Sequence, residues 1–184
     1  MIDKGCISYF DLVRQATVDA EGTDRSGIKT IGPVGLAMAA IKAAQRVFFI
    51  GNGGSLSACS HMANDLCLAG VQAMALDSAV NMACLGNDMG FDDVFDRQIK
   101  WFMAAGDVLV ALSCSGKSPN ILNACARGHD LGGTVITFSG FKRDNPLRKA
   151  GDLNFWVPSE SYGVVQLAHE ALLHCIIDNI AGLI

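Results

Sequence analysis

The chain is poor in charged residues and contains no long apolar run. Only 17% of its 184 residues are charged, 14 of them basic and 18 acidic, which gives a formal net charge of −4. This balance argues against nucleic acid or an anionic membrane surface as a partner. No apolar run reaches the roughly 18–20 residues of a membrane span. The first residues also lack the apolar core of a signal peptide, so the cytoplasm is the expected compartment.

Paired cysteines are missing as well. The seven cysteines are odd in number, and no two of them form a C-x-x-C pair. A disulfide framework or a cysteine-rich zinc knuckle is therefore not expected, and most of the thiols are interpreted as small buried fillers. Cys114 lies inside a Gly/Ser loop, where its position suits either a nucleophile or a small residue in a tight turn.

Apolar residues make up 51% of the chain, a large share for a soluble monomer. A length of 184 residues suits one compact domain with a sizeable core. No internal linker or repeat divides the chain, so we expect one domain over 1–184. It would comprise a helical segment at 1–45 and an α/β core at 46–184. Burial of apolar surface between subunits would account for the high share of apolar residues, so the composition predicts an oligomer.

Short apolar strands alternate with helical segments along the sequence. The expected strands are 46–50, 73–76, 107–112, 134–138 and 153–157. The expected helices are 5–20, 33–45, 55–69, 79–86, 91–103, 119–129 and 161–182, with a helical turn at 146–150. This alternation is typical of an α/β, three-layer, doubly wound fold, with a mostly parallel five-stranded sheet covered by helices on both faces.

Two Gly/Ser loops follow the two most apolar strands. Gly51–Ser55 comes after Val47–Ile50, Ser113–Asn120 comes after Val108–Leu112, and each leads into a predicted helix. A strand, a glycine-rich loop and a helix start form an anion cradle, because free backbone N–H groups and the positive helix end face the ligand. Such loops meet at the carboxyl ends of parallel strands. The pair predicts one small phosphorylated ligand held from two sides.

Two nucleotide-binding motifs are incomplete in these loops. Leu56 stands where the dinucleotide fingerprint needs its third glycine. Gly116-Lys117-Ser118 ends like a Walker A loop, but Ala111 replaces its first glycine and a proline follows at once. Nucleotide hydrolysis is therefore not the favoured interpretation.

Candidate metal ligands occur on two predicted helices. His61 and Asp65 are four residues apart and share one helix face, as two ligands of one metal would, although an exposed hydrogen-bonded pair has the same spacing. Gln166 and His174 are about 12 Å apart along their helix axis, so they share a metal only if both side chains lean inward or a second subunit contributes. His169 and His174 could equally be histidines of the core. His129 ends a predicted helix, where its charge would complement the helix dipole.

Several separate segments resemble the sugar isomerase (SIS) domain family, most closely its phosphoheptose isomerase branch. The resemblance covers about residue 30 to the end and includes the Gln166…His174 spacing. The other matching segments are Gly51–Ser55, His61, Gly86–Phe91, Phe95–Gln98, Gly106–Leu109 and Ser113–Asn120. The resemblance implies an enzyme that converts sedoheptulose 7-phosphate to D-glycero-D-manno-heptose 7-phosphate, or acts on a close phosphosugar relative. It also implies a homotetramer with active sites between subunits, and a divalent metal, most simply zinc.

The resemblance also assigns roles to residues. It implies Zn²⁺ ligands at His61, Asp65, Gln166 and His174, with Asp65 and His174 as the acid–base pair. Ser113, Ser115 and Ser118 would hold the phosphate. The sugar would meet Asn52, Gly53, Ser55, Asp88 and Gln166.

Three departures from the family pattern are visible. Asp65 stands where the family has Glu, Leu167 replaces a frequent acid, and no Lys or Arg occurs between 66 and 96, where the family carries a basic segment. Lys117 either supplies some of that charge or faces solvent. A rival interpretation is a non-catalytic SIS protein, either a phosphosugar-binding regulator or an interaction scaffold, which would keep the phosphate loop while losing the metal and acid–base residues.

Overall fold

The computed structural model describes residues 3–184. These residues form seven helices: α1 (Lys4–Val18), α2 (Pro33–Ala43), α3 (Gly54–Leu68), α4 (Ala79–Asp88), α5 (Val94–Phe102), α6 (Pro119–Asp130) and α7 (Tyr162–Ala181). The same part of the chain forms six strands: β1 (Glu21–Asp24), β2 (Val47–Gly51), β3 (Ala73–Ala75), β4 (Val108–Ser113), β5 (Thr134–Ser139) and β6 (Leu153–Trp156). Short 3₁₀ turns occupy Phe91–Asp93 and Pro146–Lys149.

The strands form one sheet in the order β1-β6-β5-β4-β2-β3. Strands β2 to β6 pair in parallel, and β1 pairs antiparallel with β6. The five parallel strands alone follow the flavodoxin-like order 2-1-3-4-5. Every residue of β2 and β4 is buried, as both faces of a central parallel strand require. The predicted doubly wound, mostly parallel sheet is confirmed.

The sixth strand corrects the expectation of five. Helix α1 ends at Val18, two residues before the predicted end, and the chain then forms β1 inside the segment 1–45 that was expected to be helical. The sequence Glu-Gly-Thr-Asp lacks the apolar alternation that indicates a strand. Only its pairing with β6, with Glu21 opposite Trp156, makes it extended.

Helices cover both faces of the sheet. Alternate strand residues point to opposite faces, so Phe49 and Val110 pack with α2, α3 and α7, whereas Phe48 and Leu109 pack with α4, α5 and α6. Helix α1 packs on the outside of α7. Within residues 3–184, no helix has the length and apolar character needed to cross a membrane.

The chain reverses its winding direction between β2 and β4. These strands are neighbours, with Gly51 opposite Leu112. In open α/β sheets the crevice outside the carboxyl ends of such a strand pair is where ligands bind. The topology therefore brings the loops that follow β2 and β4 together at one edge of the sheet.

Candidate active site

A cavity of about 170 Å³ lies between these two loops and the start of α7. Six residues predicted to bind substrate line it: Asn52, Ser55, Ser113, Ser115, Ser118 and Gln166. Its walls also include Leu112, Cys114 and Tyr162. The cavity is thus formed mainly by hydroxyl and amide groups, which suit a polyhydroxylated, phosphorylated ligand.

Hydrogen bonds of its own hydroxyl groups shape the serine loop, Ser113–Asn120. The Oγ atoms of Ser113 and Ser118 lie 3.2 Å apart, and the backbone N–H of Lys117 donates to Ser115 Oγ over 3.2 Å. Ser118 precedes α6, and its side chain does not cap that helix. Its hydroxyl and the helix end are therefore available to an anion.

A reciprocal amide pair joins the two loops. Asn52 Nδ2 donates to Asn120 Oδ1 over 3.0 Å, and Asn120 Nδ2 donates to Asn52 Oδ1 over 2.9 Å. Asn120 is buried at 2% exposure. Because each amide satisfies the other, the pair fixes the spacing between the loops, and of the two only Asn52 lines the cavity.

Cys114 is a buried filler rather than a nucleophile. Its side chain is 5% exposed, and its Sγ lies 3.9 Å from Ser55 Oγ. Burial raises the pKa of this thiol above its ordinary value, which favours the unreactive protonated form.

A His/Asp cluster lies about two helical turns further along α3 and α7 than the residues of these helices that line the cavity. Asp65 Oδ2 is 3.4 Å from His61 Nε2 and 3.9 Å from His174 Nδ1. The three donor atoms all lie within 4.8 Å of one another. His61 is exposed, while Asp65 and His174 are half-buried. The structure therefore brings together three of the four predicted metal ligands.

The donor set fits a zinc ion. Zinc binds imidazole nitrogen and carboxylate oxygen at roughly 2.0–2.2 Å, so two tetrahedral ligands stand about 3.4 Å apart. The His61–Asp65 separation of 3.4 Å matches that spacing, and the His174–Asp65 separation of 3.9 Å is slightly longer. Three protein ligands with a fourth position open are the usual arrangement of a catalytic zinc site.

Gln166 lies at the other end of the same helix pair. A Cβ placed on Gly54 would stand 2.6 Å from Gln166 Nε2, so the amide rests against the first residue of α3. His61 follows Gly54 by two turns. The structure thus places Gln166 in the serine-lined cavity, and its role as the fourth metal ligand stays a prediction.

The chain was compared with known proteins. Residues 8–140 match the SIS domain family model. Phosphoheptose isomerase of Shigella dysenteriae is 32% identical over 94% of this chain and 96% of its own length. The chain belongs to the SIS domain family. The family expected from the sequence motifs is confirmed.

Solved structures of relatives have the same fold. Phosphoheptose isomerases from Neisseria gonorrhoeae and Francisella tularensis each superpose with a TM-score of 0.82 at 26% identity and over 97% of this chain. The match covers 95% of the first and 97% of the second. The SIS chain is therefore an isomerase of the phosphoheptose isomerase type.

Two of the predicted substrate contacts are not among the residues that line this cavity. Gly53 precedes α3 at its N-cap, and Asp88 is exposed at the end of α4, where its carboxylate accepts from Asn87 Nδ2 over 2.7 Å. Neither lines the cavity formed by the described residues. The role of Gly53 and Asp88 in substrate binding stays a prediction.

Sequence reasoning missed two residues of this SIS site. Asn120 lies in the Ser-Pro-Asn motif, but its pairing with Asn52, itself a predicted sugar contact, was not visible because the two residues are far apart in the chain. Tyr162 carried no signal: it is a lone aromatic residue at the start of α7, and only the packing of that helix brings it to the cavity wall.

Proposed function

We propose that this chain is a metal-dependent aldose–ketose isomerase that interconverts sedoheptulose 7-phosphate and D-glycero-D-manno-heptose 7-phosphate. One observation carries the proposal: the same two helices contribute to both the serine-rich cavity and the His/Asp cluster. Near their starts α3 and α7 line the cavity, and about two turns later they hold the cluster. The relatives are named phosphoheptose isomerases, which supports a heptose phosphate as the substrate class. We place the enzyme in the cytoplasm, as one domain over residues 1–184.

The reaction moves a proton between C1 and C2 of the sugar through an enediol. It needs a base above the C–H bond, a proton path between the two oxygens and stabilisation of the enediolate. Asp65 offers a carboxylate flanked by two imidazoles, and its side chain is 25% exposed. We assign proton transfer to Asp65 and His174, which approach the substrate from different helices.

The His61, Asp65 and His174 side chains would hold the metal, with Gln166 as the proposed fourth ligand. A bound Zn²⁺ polarises a carbonyl oxygen and orients the adjacent hydroxyl. Gln166 and Asn52 line the cavity together with the serine loop, and we assign them the role of fixing where the sugar lies.

The serine loop would bind the phosphate. Ser113, Ser115 and Ser118 present hydroxyl donors at the positive end of α6. Lys117 follows Ser115 and is exposed, so it is placed to add positive charge at the rim of the loop. Binding at this end positions C1 and C2 without taking part in the proton transfer.

We also propose that the protein is a homotetramer in which α1 contacts another subunit. Apolar side chains on α1 are exposed, among them Ile7 at 52%, Phe10 at 58% and Leu12 at 60%. Exposure of this kind on one helix marks a surface that another subunit would cover. The Asp88 position supports the same interpretation, since a residue remote from its own cavity could serve the site of a neighbour.

The proposal is tested by incubating the purified protein with sedoheptulose 7-phosphate, with and without Zn²⁺, and following aldose formation. We expect zinc-dependent turnover that His174→Gln reduces by about 100-fold or more, since acid–base groups typically contribute 10²–10⁴-fold. His129→Gln is the matched control, because His129 bonds the backbone oxygen of Ala150, away from the cluster.

Two outcomes would overturn the assignment. If wild-type protein turns over no substrate with any divalent metal yet binds the phosphosugar, the chain is the non-catalytic regulator of the rival interpretation. If His174→Gln retains full activity, the acid–base role given to His174 is wrong.

A further inference from the structure

A second cavity, surrounded by charged side chains, lies away from the serine loop at the β1 edge of the sheet. Its volume is about 310 Å³, and its walls come from β1, the residues after β1 and the segment between β5 and β6. Four basic side chains, Lys29, Arg143, Arg148 and Lys149, stand around it against the two acidic groups of Glu21 and Asp144. A surplus of positive charge is unusual in a chain whose formal net charge is −4.

Three of the cations converge on one carboxylate. Glu21 accepts from Arg143 Nη2 at 2.9 and 3.0 Å, from Arg148 Nη2 at 3.2 Å, and pairs with Lys29 Nζ at 3.0 Å. Partial burial acts to raise the pKa of Glu21, but the hydrogen bond from Lys29 and the charges of Arg143, Lys29 and Arg148 outweigh it, so the pKa is lowered. The Glu21 carboxylate thus holds three cationic side chains together, and the positive charge around it exceeds its own negative charge.

Both arginines contact Trp156, and Arg148 is the more firmly held of the two. The guanidinium carbons of Arg148 and Arg143 lie 5.0 and 5.7 Å from the centroid of the Trp156 ring. Arg148 also donates to the backbone oxygen of Arg143 over 2.9 Å, and its side chain is only 11% exposed. Pre-organised guanidinium groups lose little freedom when they bind an anion.

A hydroxyl without a partner completes the wall. Thr23 lines the cavity and is 1% exposed, and its Oγ1 has no hydrogen-bond partner among the residues that the structure describes. Buried polar groups are normally paired. Thr23 is therefore a buried wall residue with unused hydrogen-bonding capacity.

We propose that this cavity is a second anion-binding site, which takes a small phosphorylated molecule and is separate from the serine loop. Guanidinium, ammonium and hydroxyl donors around one space are the groups that recognise a phosphate. A volume of about 310 Å³ admits a small metabolite as well as the phosphate alone.

The new site shares a wall with the serine loop. Asn145, 1% exposed, lines the charged cavity and packs against Gly116, where an added Cβ would lie 2.0 Å from Asn145 Oδ1. The backbone N–H of Leu147 also donates to the Gly116 oxygen over 3.1 Å. An occupant of the second site would therefore contact Asn145, which in turn packs against Gly116 of the serine loop.

Trp156 allows binding at this site to be observed directly. The chain has two tryptophans, so a Trp101→Phe background leaves Trp156 as the single tryptophan, in contact with both arginines, and excitation at the red edge of its absorption avoids the tyrosines. Inorganic phosphate is titrated at ionic strength held constant with KCl. We expect a saturable change in Trp156 fluorescence, and the pair Arg143→Gln and Lys149→Gln should weaken the apparent affinity by at least about tenfold.

Matched variants separate the two sites. Ser118→Ala, in the serine loop, should leave the Trp156 titration unchanged. If the double variant loses its fold by circular dichroism, Lys149→Gln alone must weaken binding, since its ammonium is exposed and forms no ion pair within residues 3–184. The proposal is overturned if phosphate gives no saturable change, if the basic-residue variants bind as wild type does, or if Ser118→Ala abolishes the signal.

Discussion

The imidazole rings of His61 and His174 meet edge to face, with their centroids 5.2 Å apart. His61 lies on the helix that follows the first Gly/Ser loop, and His174 lies on the last helix of the chain. Asp65, one turn after His61, contacts both rings. The packing of α3 against α7 therefore assembles a cluster whose members are remote in sequence.

Removing the charge of Asp65 tests this cluster. Asp65→Asn keeps the size of the side chain but takes away the carboxylate that lies 3.4 Å from His61 and 3.9 Å from His174. We expect zinc to be lost and turnover to fall by about 10²–10⁴-fold, because both the ligand and the base disappear. Bound zinc is measured by elemental analysis and turnover by aldose formation.

Asp65→Glu is the matched control for that variant. It restores the residue type typical of the family and keeps the negative charge, so we expect zinc to remain bound. The added methylene displaces the carboxylate by about 1 Å, a shift that costs up to about 100-fold in rate. Zinc bound equally well by Asp65→Asn would contradict the assignment of Asp65 as a ligand.

Ser118→Ala tests the phosphate loop. Ser118 Oγ lies 3.2 Å from Ser113 Oγ at the start of α6, far from the proposed reacting carbons. Loss of this donor weakens substrate and transition state alike, so we expect KM to rise by about tenfold and kcat to stay nearly constant. Steady-state kinetics with Ser8→Ala as the control measure this, and a fall in kcat alone would place Ser118 in the chemistry instead.

Much of the fold was predictable because it depends on local patterns. The strands Val47–Gly51 and Val108–Ser113 are continuous apolar runs followed by Gly/Ser loops, and such runs indicate buried parallel strands. Strand β1 was not predictable in this way, since Glu21–Asp24 is extended only through its pairing with β6. For the same reason the sequence did not indicate that Glu21, in β1, would line the second cavity.

The candidate site was predictable in composition but not in geometry. Spacing alone allowed His61 and Asp65 to be either metal ligands or an exposed pair, and it left His174 open to a role in the core. Only the contact between α3 and α7 places His174 beside Asp65. Asp88 matched the family motif, but its position at the exposed end of α4 depends on packing that the motif does not specify.

Gly116→Ala tests the contact that shapes the serine loop. Gly116 has φ +63°, and a Cβ there would lie 2.0 Å from Oδ1 of the buried Asn145. We expect a loss of about 3 kcal/mol or more in the free energy of unfolding, together with weaker phosphate binding by the loop, because strain and overpacking add. Gly70→Ala is the control: its φ is +84° with no atom within 4 Å, so only the strain of about 1–2 kcal/mol applies. Equal losses measured by urea unfolding would contradict the predicted clash.

His169 makes the stability of the fold depend on pH. Its Nε2 lies 3.0 Å from the backbone oxygen of Ser139, and burial lowers the pKa of its imidazole from 6.5 to about 4, partly opposed by that hydrogen bond. The unfolded chain therefore takes up a proton near pH 6.5 that the folded chain accepts only near pH 4. The stability contributed by neutral His169 is complete above pH 6.5 and falls by about 3 kcal/mol as the pH drops to 4.

Replacing His169 with glutamine isolates this effect. His169→Gln can still donate an amide N–H towards Ser139 but has no group that titrates in this range. We expect its unfolding free energy to change less between pH 6.5 and pH 4 than that of the wild type, so the two curves converge as the pH falls. Urea unfolding at a series of pH values measures both curves. If they stay parallel through this window, His169 is not the group that carries the pH dependence.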